Sequence, residues 1–144
     1  MAGDTTNPVD GYSRVRVLFA DQLNLARGKY IPISFAEKGE SRLCIGTYGV
    51  TYSKAMVAAP GAGTTEGLPD IELVFDPQDL RPGWETNTQI ALCDLVLDGE
   101  PAELCGRNAL KKAIHQWQDL GYEPMIGYET EAYIFERDEN GSWI

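Results

Sequence analysis

Residues 13–34, SRVRVLFADQLNLARGKYIPIS, decide the class of fold. Val15, Val17 and Phe19 alternate with Arg14, Arg16 and Leu18, the period-two pattern of a strand with one face in a core. Asp21 and Asn24 then supply a turn, and Tyr30, Ile31 and Ile33 restore β-favouring bulk. The stretch is expected to fold as an antiparallel hairpin, with Gly28 marking a bulge in the returning strand.

Upstream, residues 1–12 are small, polar and interrupted by Pro8, which offers too little apolar area to offset ordering entropy, so a disordered tail is expected. Downstream, Phe35 to Gly39 reads as a short helical turn closed by Gly39, and RLCIGTYGVTYS from Arg42 as another extended run. Residues 55–69 are rich in glycine and small side chains. They read as a long mobile loop, for which a lid or partner-contacting role and simple flexibility both stay open. In PDIELVFDP, Ile71, Leu73 and Phe75 share one strand face. TQIALCDLVLDGEP is apolar enough for a single buried central strand, ended by the Asp98-Gly99 turn. The period changes over Arg107 to Leu120, where Leu110, Ala113, Ile114 and Trp117 form one stripe and Gly121 supplies the stop of a helix.

Composition removes several classes of function. At 144 residues the chain is long enough to bury roughly 70% of the surface its unfolded form exposes, so a genuine core is expected. The net charge of -10 repels phosphate backbones and anionic membrane surfaces, so neither nucleic acid nor membrane is an expected partner. No apolar run approaches the roughly 20 residues of a membrane span and the first residues lack a leader pattern, so a cytoplasmic location is expected. Cys44, Cys93 and Cys105 are odd in number and share no CxxC spacing, which points to reduced, mostly buried thiols. His115, the one histidine, falls on the polar side of the helix, leaving no base for a Ser/His/Asp or Cys/His mechanism. Neither GTYGVTYSK nor the GAG at Gly61 to Gly63 has the spacing of a phosphate loop.

The stretch with chemistry in it is GYETEAYIFE, from Gly127 to Glu136. Strand alternation sends Glu129 and Glu131 to one side, where two carboxylates suit a hard divalent cation; the same spacing also describes a solvated strand face.

In their order these pieces resemble the N-terminal region of glutamine synthetase and the related γ-glutamyl-amine ligases. VRVLFADQLNLARGKYIP is similar to the family's opening hairpin with its RGK-type turn at Arg27, Gly28 and Lys29. PDIELVFDPQDLRPGWETNTQIALCDLVLDGEP resembles a stretch with a Pro-Asp turn, a Trp, an apolar run ending in Cys-Asp, and a Gly-Glu-Pro. RNALKKAIHQWQDLGYEPMIGYETEAYIF is similar to a helix leading into a strand with a Glu-x-Glu pair.

The resemblance covers Ser13 to about Phe135 and implies an α+β fold. Its parts are a β-grasp-like, mostly antiparallel sheet with one long helix, then a strand that opens a catalytic domain. The implied organisation is a tail over 1–12, a β-grasp domain over 13–104 and the start of the catalytic domain over 105–144. It further implies that Glu129 and Glu131 are metal ligands, and that Mg²⁺ or Mn²⁺ and ATP serve a whole ligase joining ammonia or an amine to the γ-carboxylate of glutamate. No catalytic residue is assigned within the chain, no cofactor is expected to bind it tightly, and the isolated chain is expected to be inactive. Ammonia-using members carry an acidic residue in the N-terminal loop, whereas no Asp lies between Asp21 and Asp70 here, which keeps larger amines open. Expected partners are further copies of the chain or full-length homologous subunits. The competing reading is a stand-alone, non-catalytic β-grasp module that binds a protein partner. A third is a β-rich scaffold whose likeness is only ancestral.

Overall fold

A computed structural model describes residues 11–56 and 67–144. The tail expected over 1–12 and the loop expected over 55–69 therefore lie largely outside the described residues. The hairpin forms as expected. Strand β1 (Arg14–Ala20) pairs antiparallel with β2 (Ala26–Pro32) along its whole length, from Arg14 opposite Pro32 to Ala20 opposite Ala26. Gly28 is not a bulge: it sits in unbroken register opposite Leu18, and a Cβ there would lie 1.8 Å from the Val17 carbonyl oxygen. Glycine is required by a close approach of two backbones.

A 3₁₀ turn over Ile33–Lys38 follows, closed by Gly39 in the left-handed region at φ 65°. The expected extended run from Arg42 is cut short. Strand β3 (Glu40–Cys44) ends where Ile45–Thr47 wind into a second 3₁₀ turn, which buries Ile45 and lets the Tyr48 hydroxyl donate to the Leu104 carbonyl. Strand β4 (Asp70–Val74) pairs antiparallel with β3, and Ile71, Leu73 and Phe75 point into the core as expected. A two-residue strand β5 (Arg81–Pro82) follows.

The apolar run expected to be one central strand is two. Strand β6 (Thr88–Leu92) lies parallel to β1, and β7 (Asp94–Leu97) lies antiparallel to β4 in a different sheet, with Cys93 as the crossing point. The break falls there because the Cys93 amide still donates to the Leu18 carbonyl while its side chain is buried among both sets of strands. The strands thus divide into a sheet β2-β1-β6-β5 and a sheet β3-β4-β7-β8, where β8 is Glu100–Pro101. Asp98 and Gly99, both at positive φ, make the two-residue turn joining β7 to β8. One core holds Val15, Val17 and Phe19 from β1 against Ile71, Leu73 and Leu95 from the other sheet.

Helix α1 (Gly106–Asp119) matches the stretch in which the period changes. It ends as expected: Gly121 is at φ 82°, its amide donates to the Gln118 carbonyl and that of Tyr122 to the Trp117 carbonyl, which closes the last turn. Expected class and outcome agree: the fold is α+β, with mostly antiparallel pairing and one long helix. The chain divides into two compact units, one up to Ala113 and one from Ile114. Within the second, residues 122–136 join no ladder among the described residues, which departs from the strand expected there. A strand needs a neighbour to satisfy its backbone groups; Glu136 exchanges backbone hydrogen bonds with Ile144, but residues 123–135 pair with no strand among the described residues. Beyond it, Arg137 and Trp143 pair across a turn in which Asp138 accepts from the amides of Asn140 and Ser142.

Candidate functional site

Glu129 and Glu131 both lie in this unladdered stretch and both are exposed. Their chemistry suits a hard divalent cation, which takes carboxylate oxygens. Their number does not, because among the described residues no three His, Cys, Asp or Glu side chains come together as a metal cluster. No step can therefore be routed through a metal on these residues alone. His115 is exposed, in keeping with its place on the polar side of the helix.

The residues that carry the family resemblance in the first unit have well-defined structural tasks. Asp21 is buried, and its Oδ1 accepts the amides of Leu23 and Leu25 at 2.9 Å each while its Oδ2 accepts Arg27 Nε at 2.6 Å. Burial alone would raise the Asp21 pKa, but the Arg27 guanidinium and the two amides outweigh it and hold the carboxyl below its ordinary value. Lys29 Nζ donates to the Arg42 carbonyl and so ties β2 to β3. Trp84 stacks on Arg16, whose guanidinium also faces the Tyr30 ring, and the Tyr30 hydroxyl donates to Glu85. Asp94 accepts from Arg107 Nε at 2.7 Å and from Lys111 Nζ, fixing the first turns of α1 to β7. Burial would raise the Asp94 pKa too, but Lys111 and Arg107 lower it overall.

Beside the end of β1 lies a half-open cavity of about 770 Å³ with Leu18, Leu92, Leu104 and Leu110 in its walls. Its lining is drawn from parts of four separate stretches, around Leu18 to Ala26, at Tyr48, at Leu92 and Cys93, and around Leu104 to Arg107 with Leu110, so no local sequence pattern announces it. Asp21 and Arg107 also reach it, each already engaged by an opposite charge. Cys93 and Cys105 are free thiols that belong to the same wall, and burial pushes Cys93 up to about 12, which keeps it protonated.

No protein-family model matches the chain. It is 30% identical over 139 residues, 86% of its length, to γ-glutamylanilide synthase of an Acinetobacter species, and 42% identical over 74 residues to glutamate–isopropylamine ligase of a Pseudomonas species. It is 29% identical over 132 residues to glutamine synthetase of Pyrococcus horikoshii. The chain belongs to the glutamine synthetase family. In fold, too, it is similar to a solved glutamine synthase homologue, with a TM-score of 0.62 over 80% of this chain and 29% of that one, at 19% identity. Another solved neighbour, a GmaS/ADP complex, has a TM-score of 0.57 over 76% of this chain and 24% of its own. The chain spans only 28% of the γ-glutamylanilide synthase, 16% of the isopropylamine ligase and 27% of the Pyrococcus enzyme. The family's likeness therefore accounts for nearly all of this chain while the chain accounts for a minor part of each relative.

Proposed function

We propose that the chain is the N-terminal part of a glutamine synthetase-like ligase that uses ATP to join ammonia or an amine to the γ-carboxylate of glutamate. The observation that supports it is the likeness to γ-glutamylanilide synthase along 86% of the chain. In this proposal residues 13–104 form the β-grasp domain and residues 105–144 open the catalytic domain. Glu129 and Glu131 supply part of the oxygen set for Mg²⁺ or Mn²⁺, with the remaining ligands and the ATP pocket outside these 144 residues. Two carboxylates make too few ligands for such an ion, so the chain assayed alone gives no turnover. Assembly is with further copies or with full-length homologous subunits, in the cytoplasm.

The acceptor we favour is a primary amine with an apolar substituent. The names of two relatives specify isopropylamine and an anilide.

A chimera tests the proposal. Residues 13–135 are put in place of the matching region of the Acinetobacter γ-glutamylanilide synthase, and ATP-dependent γ-glutamyl transfer is followed with aniline, isopropylamine and ammonia. The chimera should retain turnover with the apolar amines, and Glu129→Ala within it should lower kcat by about 100-fold or more while the chimera stays folded. A folded, active chimera indifferent to Glu129→Ala and Glu131→Ala would remove the metal assignment, and a folded but wholly inactive one would remove the ligase reading.

A further inference from the structure

We draw no further inference here: the strongest candidate, the half-open apolar cavity beside the end of β1 between Leu18, Leu92, Leu104 and Leu110, has its charged wall residues already engaged within the fold, Asp21 by Arg27 and Arg107 by Asp94, and nothing in the structure shows what covers it.

Discussion

At Gly28 two backbones come so close that a methyl group has no room, since the nearest atom to a built Cβ is a carbonyl oxygen held in the β1–β2 ladder. Neither strand can shift without breaking the register of a seven-residue pairing whose inner face is core. Gly28→Ala should therefore destabilise the protein by about 3 kcal/mol, the upper end of overpacking costs, as read from urea unfolding midpoints. A loss below about 0.5 kcal/mol, the range of an ordinary surface change, would show that the hairpin can open there. Asp21 makes a second prediction, this time about pH. Its folded pKa lies below its ordinary value of 3.8, so the unfolded chain binds the proton more readily. Its contribution to stability is complete above that ordinary value and is lost as pH falls through the folded one. Between pH 6 and pH 3 the thermal midpoint of the wild type should fall more steeply than that of Asp21→Asn; parallel curves would mean that the Asp21–Arg27 contact contributes nothing.

The elements differ in how far the sequence announces them. The hairpin, β4, the Asp98-Gly99 turn and α1 were each legible because their signal is local: alternation, a turn dipeptide, a change of period and a glycine stop. The division of TQIALCDLVL at Cys93 was not legible. Both halves are apolar, and the switch of sheets depends on β1 and β4, strands distant in sequence, each taking one half as a partner. The same reasoning separates two contacts that hold the start of α1. Asn108 Nδ2 donates to the carbonyls of Leu95 at 2.7 Å and Ala102 at 3.1 Å, in a partly buried position. Asp94 holds Arg107 and Lys111 through exposed ion pairs, a class that rarely exceeds about 1 kcal/mol. Asn108→Ala loses two hydrogen bonds and should cost about 1–2 kcal/mol, more than Asp94→Ala. Equilibrium unfolding of the two variants side by side decides the order, and a larger loss for Asp94→Ala would show that charge, not the amide, fastens the helix.

On the scale of the whole molecule, the first unit explains its own residues and the second does not. Arg27, Gly28, Trp84, Asp94 and Gly99 all carry the resemblance to the family, and all are accounted for by turns, close approaches and contacts inside the fold. From Ile114 onward the opposite holds: Met125 is 98% exposed and Ile134 93%, on a backbone that pairs with no strand among the described residues. The proposed site was legible only as a pair of carboxylates at i and i+2, because the spacing of two residues says nothing about side chains that sequence-distant elements would bring. That asymmetry fixes what metal should do. A divalent ion of this kind takes about six oxygen ligands, and two exposed carboxylates leave most of its shell to water. A Mn²⁺ titration of the chain should therefore show weak binding, with a dissociation constant of about a millimolar or higher, comparable to the weakest carboxylate sites. The double variant Glu129→Ala, Glu131→Ala should abolish even that, while leaving the Mn²⁺-free unfolding curve of the first unit unchanged, since neither side chain is part of its core. Micromolar affinity in the wild-type chain would mean that a complete ligand set already exists within these residues, and equal affinity in the double variant would place the ion on other carboxylates altogether.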